Sequence, residues 1–402
     1  MNVAYIGASW PQPNTTAAGS RTIGLLKCLL RLGYKVTFLT YKKPNPSQMT
    51  AISQLPVATH YCPPNDEAHF QTVAGTPDIC VFEKFPTEEM FSYQVHRLFP
   101  NCLRVLDTQD LHCLRTQRQA LGQVSLAASK AHVPTLLGDE MACREIASIH
   151  RSDLVVFCSD YEVEVTKRLG VENGLVLPMF YESADIEKWK AVDLDRRDMV
   201  WLGSYTHAPN RDSLQTLPDI WPNIQAQLPG VELHVYGAFF PPGYALNLPG
   251  VLIKGQVASL DCLATYRVML APLRFGAGIK GKITDAWLYG VVPVTTSIGA
   301  EGLCRQGHFP GLIEDNWPAF SAAAISAYRC PPPTLRTQAW TSLQQHFSLE
   351  SCQRQLASAL LSLQSNLSVV RGNRPIQQLL WSQTLRSTEY LSKYLQTKAK
   401  HC

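Results

Sequence analysis

Short apolar segments alternate with helical segments in two successive series, and this alternation constrains the fold more than any other feature of the chain. The first series begins with "NVAYIG" and "KVTFLTY", continues with "DICVFE", "CLRVLD" and "DLVVFC", and ends with "GLVLP" at residues 174–178. The second begins with "MVWLG" at residues 199–203, continues with "VELHVYG", "VLIKG", "RVMLAPL" and "VVPVTT", and ends with "GLIED". Strands that alternate with helices in this way predict parallel sheets with helices packed on them.

The two series predict an α/β chain of two facing doubly wound, Rossmann-like domains with a cleft between them. We expect the N-terminal domain over residues 1–182 and the second domain over residues 197–345, joined by the polar connector "ESADIEKWKAVDLDRRD". Residues 346–402 are expected to form helices that cross back toward the first domain and to end in a basic tail. Ligands of such folds bind at the carboxyl ends of the strands, so functional residues are expected where those ends face the cleft.

The composition excludes several classes of protein. The formal net charge is +4 over 402 residues, which gives no reason to expect a nucleic-acid partner. The 12 cysteines are irregularly spaced without a C-x-x-C pair, so we expect reduced, packed thiols in a cytoplasmic protein. The N-terminal segment is more typical of a strand than of a signal peptide, and no apolar run is long enough to span a membrane.

Most of the excess positive charge lies near the C-terminal end. From residue 371 onward the sequence has six Lys and Arg residues and one acidic residue. This tail is helix-like and contains Trp381, Tyr390 and Tyr394, so it could contact an anionic membrane surface peripherally. A helix packed back on the first domain, with solvated lysines, is the interpretation that we favour.

The segment "LRFGAGIKGKITDAWLYG" combines a glycine-rich loop with two lysines. Gly276, Gly278 and Gly281 follow a predicted strand and precede a predicted helix, and Lys280 and Lys282 lie in and after the loop. Glycines let the backbone approach a ligand closely, and a loop that leads into a helix N-terminus presents amide donors to an anion. The segment therefore predicts a phosphate-binding site.

Two general phosphate motifs explain this segment less well. The spacing is G-x-G-x-x-G, and Glu301 lies about twenty residues beyond the last glycine, as a dinucleotide-binding site would require. However, two lysines crowd the turn, and Glu301 follows the next strand. A P-loop would need Ser or Thr after the lysine, but Lys282 is followed by Ile283.

The run "GAGIKGKITDAWLYGVVPVTTSIGAEGL" at residues 276–303 resembles the donor-binding signature of GT-B glycosyltransferases, particularly the retaining family 4. In that family a glycine loop leads into a K-x-x-E-A helix start, a G-x-P-V-V-x-T strand and a G-x-E-G loop. "PQPNTTAAGSRTIGLLKCLLRLGYKVTFLT" resembles the family's first loop and helix, and "WLGSYTHAPNRDSL" its entry to the second domain. The resemblance extends over roughly residues 1–360 and implies a GT-B fold.

The resemblance implies a nucleotide-diphosphate sugar as donor substrate, with no cofactor and no metal. Lys282 would neutralise the leaving diphosphate, with Lys280 as a weaker second cation, and Asp285 would bind the ribose hydroxyls. Ala277 stands where many members carry a glutamate that touches the donor sugar. The remaining residues expected at the donor site are Gly276, Gly278, Glu301, Gly203, Arg211 and Gly19.

The expected reaction transfers a sugar to an acceptor hydroxyl with retention of configuration, without an enzyme nucleophile. His112 and Asp110 follow a predicted strand and are the candidate catalytic residues, although a structural Asp–His pair is equally consistent with the sequence. Arg21 could reach an acceptor phosphate. The acceptor, a glycan, a lipid-linked sugar or a protein, would be recognised by N-terminal segments such as residues 41–50 and 117–134.

Two other functions remain open at the level of the sequence. A sugar-nucleotide epimerase on the same fold would need acid and base carboxylates in the cleft and no acceptor. A non-catalytic nucleotide-sugar-binding subunit would be consistent with Ala277 and with the short side chain of Asp285.

Overall fold

The described residues form two parallel sheets, of seven and six strands, each covered by helices. This computed structural model describes residues 1–122, 126–192, 194–304 and 307–382, together with residues 390, 394 and 395. Every strand pairing between neighbours is parallel, which confirms the predicted pair of doubly wound α/β domains.

The first sheet has the strand order β3-β2-β1-β4-β5-β6-β7. Its central strands are apolar on both faces, and all five residues of β4 and of β5 are buried, as expected for a sheet covered on both sides. Its strands are β1 (Asn2–Gly7), β2 (Lys35–Thr40), β3 (Ala58–Tyr61), β4 (Ile79–Glu83), β5 (Leu103–Asp107), β6 (Leu154–Phe157) and β7 (Gly174–Val176). Its helices are α1 (Ala17–Arg31), α2 (Pro46–Met49), α3 (Glu67–Ala74), α4 (Lys84–Leu98), α5 (His112–Gly122), α6 (Leu126–Ala131), α7 (Glu140–Arg151) and α8 (Asp160–Lys167), with a 3-10 turn at Ile52–Gln54.

Helix α9 (Ser183–Lys190) connects the first sheet to the second, whose strand order is β10-β9-β8-β11-β12-β13. Its strands are β8 (Arg197–Leu202), β9 (Leu233–Tyr236), β10 (Val251–Gly255), β11 (Tyr266–Ala271), β12 (Val292–Thr295) and β13 (Leu312–Ile313). Its helices are α10 (Ala208–Gln215), α11 (Leu217–Gln227), α12 (Gly281–Leu288), α13 (Ser297–Ala300), α14 (Trp317–Arg329) and α15 (Pro333–Ser342), with a 3-10 turn at Leu260–Thr265 and a π-helical turn at Leu343–Phe347.

The chain then returns to the first sheet. Helix α16 (Leu349–Gly372), which is kinked at Asn366, packs its apolar side on the core that includes α1 and β1. Helix α17 (Pro375–Ser382) follows, and the ring of Trp381 stacks on His96 with 4.3 Å between the ring centroids. Arg371 donates two hydrogen bonds to the buried Asp153. The beginning of the basic segment is therefore packed against the first domain.

The rest of the predicted tail lies outside the described residues, including Arg386, Lys393, Lys398 and Lys400. Within the described part of the chain, no helix combines the length and the apolar character that crossing a bilayer requires.

Each of the strands predicted from the sequence is present, with ends that shift by at most two residues. The prediction missed β3, because "ATHY" is a half-buried edge strand without an apolar run. Residues 117–134, which we expected to be an irregular acceptor-binding segment, contain the end of α5 and α6. The helical periodicity of α5 is obscured because polar residues dominate its sequence, although Cys113, Leu114 and Arg118 are buried.

Candidate functional site

The glycine loop after β11 lies against the first domain. Gly278 has a φ of 63°, a conformation that suits glycine, and a methyl group added there would lie 2.9 Å from the Asp110 Cβ. The next residue pair, Ile279 and Lys280, leads directly into α12. The glycine thus permits a close approach between the loop and the segment after β5.

The N-termini of α1 and α12 converge across the cleft. A methyl group added at Gly281, the first residue of α12, would lie 2.9 Å from the Cβ of Ala17, the first residue of α1. In α1, Thr16 caps the helix by accepting a hydrogen bond from the Gly19 amide at 3.0 Å. A side chain at Gly19 would strike the backbone of Gln12. Two positive helix ends in one place favour an anion such as a diphosphate.

Lys282 lies in the first turn of α12, and its ammonium reaches the second sheet. The ammonium donates a hydrogen bond to Oδ1 of Asn210 at 2.8 Å and lies 4.7 Å from the centre of the Trp201 ring. Burial lowers the pKa of Lys282 to about 7. No described carboxylate forms an ion pair with it, so an anionic ligand would stabilise its charged form.

Gly203 makes room for this contact. A Cβ at Gly203 would lie 2.6 Å from Cγ of Asn210, so a side chain there would displace the amide that holds Lys282. Arg211 follows Asn210 on α10 and is exposed. Sequence reasoning selected Arg211 for its charge and missed Asn210, which has no charge to mark it.

Lys280 is turned back onto its own loop. Its ammonium donates to the carbonyl oxygen of Gly278 at 2.7 Å, and burial lowers its pKa while Glu301 opposes that change. The two lysines of the segment therefore differ: Lys280 stabilises the loop, whereas Lys282 extends across the sheet to Asn210.

Asp285 lies on α12, one turn after Gly281, and is half-buried. The hydroxyl of Tyr181 lies 2.7 Å from its Oδ1 and 2.7 Å from the hydroxyl oxygen of Thr284. Burial raises the pKa of Asp285 to about 6, and the hydrogen bond from Tyr181 opposes part of that rise. Tyr181 orients the carboxylate. No local sequence pattern marks this contact, because the two residues are far apart in the chain.

Glu301 is bound by a fully buried arginine of the first domain. Arg118 of α5 donates hydrogen bonds to the two oxygens of Glu301 at 2.9 and 3.0 Å. It also donates to the Gly276 carbonyl at 3.1 Å and to the Tyr161 hydroxyl at 2.9 Å. This side chain, which sequence reasoning missed, joins the glycine loop and the end of α13 to the first domain.

Asp110 and His112 are adjacent at the carboxyl end of β5. Nε2 of His112 lies 3.4 Å from Oδ1 of Asp110, and the other oxygen of Asp110 accepts from Arg115. Burial would raise the pKa of Asp110, but Arg115 and His112 outweigh it and lower the pKa to about 2. Burial lowers the pKa of His112 to about 4, although Asp110 opposes it. His112 is therefore a neutral imidazole at pH 7, and its Nε2 has no hydrogen-bond partner among the described residues.

Three buried carboxylates hold the segment 109–113 in place. Glu83 accepts from the Gln109 amide at 2.8 Å, and Glu162 accepts from the Leu111 backbone at 2.8 Å. The two oxygens of Glu145 accept from the backbone N–H groups of His112 and Cys113, at 2.9 and 2.7 Å. Burial raises the pKa of each of the three carboxyl groups to about 7. We call Glu83, Glu145 and Glu162 the carboxylate cradle.

Arg21 does not face the cleft. Its guanidinium is 2% exposed and binds Asp107, with 2.6 Å between NH2 and Oδ1, and it also donates to the carbonyl oxygens of Leu177 and Pro178. The expectation that Arg21 reaches an acceptor is therefore wrong. Instead it fixes α1 to β5 and to the segment that leaves the first domain.

One group of potential metal ligands occurs among the described residues. Ligand atoms of Asp198, Glu232 and His234 lie within 4.8 Å of one another. The group lies at the beginning of β8 and β9, opposite to the glycine loop, and the two ring nitrogens of His234 bond to Tyr266 and Glu232. It is not part of the cleft.

Comparison with known proteins identifies the second domain. Residues 196–329 match the family model described as Glycosyl transferases group 1. The chain contains a glycosyltransferase domain. The matched residues include the glycine loop, Lys282, Asn210, Asp285 and Glu301. A search of the curated proteins finds no match.

Several solved structures share the whole fold. Sucrose-phosphate synthase from Thermosynechococcus elongatus has a TM-score of 0.65 at 15% identity, over 90% of this chain and 99% of that chain. Anabaena HepE in complex with UDP-glucose has a TM-score of 0.63 at 14% identity, over 90% and 100%. A glycosyltransferase from Rickettsia africae has a TM-score of 0.64 at 10% identity, over 91% and 99%. These likenesses establish that the two-domain fold described here is the GT-B fold.

Proposed function

We propose that the chain transfers a sugar from a nucleoside-diphosphate sugar to an acceptor hydroxyl, with retention of configuration and without a metal ion, as in the retaining family 4. The observation that carries this proposal is the convergence of α1 and α12 beside Lys282. Two helix N-termini and an ammonium without a carboxylate partner provide fixed positive charge where a departing diphosphate gains negative charge. The UDP-glucose complex of HepE supports UDP-sugars as the first donors to test.

In this scheme Lys282 is the main contact of the diphosphate, and Asp285, oriented by Tyr181, receives the ribose hydroxyls. The leaving phosphate takes the proton of the acceptor hydroxyl as the new bond forms. Asp110 is bound by Arg115 and Glu301 by Arg118, so neither is a free nucleophile. This is consistent with a reaction that needs no covalent intermediate.

His112 has a role in this scheme that differs from that of a general base. Its low pKa makes it a weak base at neutral pH. We assign its Nε2, which is buried and has no hydrogen-bond partner among the described residues, to a hydrogen bond with the donor sugar. The ring of His112 packs edge-on against Phe85, and its Nε2 lies 3.4 Å from Asp110 without a hydrogen bond between them. Replacing His112 with Ala is expected to lower turnover and to leave the affinity for the nucleotide unchanged.

The two alternatives from the sequence fit the site less well. An epimerase needs carboxylates that are free to exchange protons with the sugar. Asp110 and Glu301 are paired with arginines, and Asp285 is hydrogen-bonded to Tyr181. A binding subunit would explain Ala277, but that residue packs against the apolar core of the first domain, where a glutamate would lose its hydration.

Incubation with labelled UDP-, GDP-, ADP- and dTDP-sugars tests the proposal. The enzyme is expected to release the nucleoside diphosphate from one donor class, in the presence of a chelator, and to retain the anomeric configuration in the product. Binding of a nucleotide sugar without any release, across all donors and acceptors, would favour the binding subunit.

We also place the enzyme in the cytoplasm, with the C-terminal tail as a candidate for peripheral contact with membranes.

A further inference from the structure

The carboxyl edge of the first sheet faces the donor site and has an unusual residue at the end of β4. Lys84 begins α4 immediately after Glu83, and its φ of 66° is in the left-handed region that non-glycine residues rarely adopt. Gln109, after the neighbouring strand β5, has a φ of 60°. Backbone outliers of this kind cluster at functional sites, because the surrounding structure must impose them.

The structure around Lys84 imposes this sharp turn. The hydroxyl of Thr87 donates to the carbonyl oxygens of Glu83 and Lys84, at 2.6 and 3.0 Å, and ties the strand end to the first turn of the helix. The next side chain, Phe85, is buried and contacts the ring of His112 edge-on at 5.4 Å. Because Phe85 is fixed against His112, the preceding residue is held at the edge of the cleft.

The positive charge of Lys84 influences groups on both sides of the cleft. Burial has the largest influence on the pKa values of Asp110, His112 and His207; Arg115 lowers all three, and so does the ammonium of Lys84. His207 belongs to the second domain, so the charge of Lys84 acts across the cleft. Among the described residues, the ammonium forms no hydrogen bond and no ion pair.

The carboxylates at this edge are already engaged. Glu83 is 3% exposed and is bound by Gln109; burial raises its pKa, and the charge of Lys84 opposes that rise without forming an ion pair with it. Asp107 is bound by Arg21. Asp110 is held by Arg115.

Two further lysines extend the positive edge. Lys42 and Lys43 follow the end of β2 and are exposed. The cleft side of the first domain therefore has a surplus of positive charge, separate from Lys282, which binds Asn210 on the opposite domain.

We propose that this edge binds an anionic group of the sugar acceptor, a phosphate or a carboxylate, with Lys84 as its principal contact. This inference rests on the proposed glycosyl transfer, since it assigns the second substrate of the same site. Lys84 is half-buried at the carboxyl edge of the sheet, and no described carboxylate forms a hydrogen bond or an ion pair with its ammonium. An acceptor with an oxyanion would supply that partner by a charge-assisted hydrogen bond.

The test uses matched neutral and anionic sugars. Glucose, glucose 6-phosphate and glucuronate, and the corresponding sets for galactose, mannose and N-acetylglucosamine, are offered with the donor that the enzyme uses. The anionic member of at least one set is expected to stimulate release of nucleoside diphosphate at a lower concentration than the neutral member. A preference for the phosphate or for the carboxylate identifies which oxyanion the site takes.

The variants are Lys84→Gln and Lys84→Gly, with Lys35→Gln as the control at the opposite end of the same sheet. Lys84→Gln is expected to raise the KM of the anionic acceptor about tenfold or more and to leave the donor KM unchanged. Glycine suits the left-handed conformation, so Lys84→Gly is expected to raise Tm and still lose the preference for the anion. Lys35→Gln should behave as the wild type.

Equal use of neutral and anionic acceptors would overturn the inference, as would an equal rise of donor and acceptor KM in Lys84→Gln. The latter result would place Lys84 at the donor phosphates. If no donor is turned over, the same sugars are added with saturating UDP and Tm is measured. If an anionic sugar raises the Tm of the wild type and does not raise the Tm of Lys84→Gln, the result supports the site. If no anionic sugar raises the Tm of the wild type, the result contradicts the site. Failure to bind any nucleotide would instead contradict the proposed function.

Discussion

Arg118 donates hydrogen bonds to the two carboxylate oxygens of Glu301, at 2.9 and 3.0 Å, and so joins the two sheets through a fully buried guanidinium. The same guanidinium holds the carbonyl of Gly276 in the glycine loop. The loop that we assign to the donor diphosphate is therefore positioned by the domain opposite to its own. The affinity for the donor and the approach of the two domains are expected to be linked.

Replacing Arg118 with Ala is expected to lower the free energy of unfolding by about 3–5 kcal/mol, because Glu301 would be left buried without its partner. The affinity for the nucleotide should fall as well, since the Gly276 carbonyl loses its donor. The control is Lys130→Ala, which removes an exposed interdomain pair with Asp315 at 3.8 Å and should change stability by about 0–1 kcal/mol. Chemical denaturation measures the free energy of unfolding of the two variants. If Arg118→Ala and Lys130→Ala lower the free energy of unfolding equally, Arg118 does not make the main stabilising contact between the domains.

Gly281 is expected to tolerate no side chain. A methyl group there would lie 2.9 Å from the Cβ of Ala17, so Gly281→Ala should separate the two helix ends and destabilise the protein by about 1–3 kcal/mol. Affinity for UDP should fall with it. Gly372→Ala, whose added methyl meets no atom within 4 Å, is the control. The affinities are measured by calorimetric titration with UDP. If Gly281→Ala and Gly372→Ala bind UDP with the same affinity, the convergence of α1 and α12 at the donor site is contradicted.

The carboxylate cradle makes stability depend on pH. The pKa of Glu145 is about 7 in the folded chain against its usual 4.5, so the native state retains a proton that the unfolded state has lost. Its contribution to stability therefore declines as the pH rises from about 4.5 through 7. Glu145→Gln should show a smaller decline in Tm between pH 5 and pH 8 than the wild type does.

The same variant should lower turnover about tenfold to a hundredfold, because glutamine can accept only one of the two N–H groups that position His112. Affinity for the nucleotide should be retained. Glu140→Gln, on the exposed side of the same helix, should leave both turnover and the pH profile unchanged. A wild-type pH profile in Glu145→Gln would show that this carboxyl group does not titrate near neutrality.

The sequence predicted the fold far better than it predicted the contacts of the site. Strand β5 and the loop after β11 were recognisable because burial on both faces and glycine spacing leave local signatures. Lys282 and Asp285 were recognisable because they lie in one contiguous segment. Their partners Asn210 and Tyr181 come from other elements more than 70 residues away, and no local pattern marks them.

The positions of Arg21 and Arg118 show that the sequence did not predict which arginine side chains reach the cleft. Arg21 follows the glycine turn of α1 and was expected in the cleft, yet it is buried against Asp107. Arg118 lies in a segment without a readable motif, yet it binds Glu301 and the glycine loop. The direction of a long side chain depends on which carboxylate the fold brings near, and that is a property of tertiary structure.

Binding of the diphosphate is expected to be linked to proton uptake. Burial lowers the pKa of Lys282 to about 7 from its usual 10.5, so in the free enzyme this group contributes stability that increases as the pH rises from about 7 toward 10.5. A bound diphosphate should raise that pKa again. At pH 8, calorimetry in buffers of different ionisation enthalpy should therefore show the uptake of close to one proton per UDP. Lys282→Met should show none, and zero uptake by the wild type would contradict the assignment.

The most direct measurement of the central claim is the dissociation constant for nucleoside diphosphates. UDP, GDP and ADP are titrated into the wild type, Lys282→Ala and Lys35→Ala at pH 7. The account predicts that the wild type binds one of the three, that Lys282→Ala binds it at least about tenfold more weakly, and that Lys35→Ala matches the wild type. Equal affinity in all three proteins, or no binding by the wild type, would contradict the assignment of the glycine loop and α12 to the donor diphosphate.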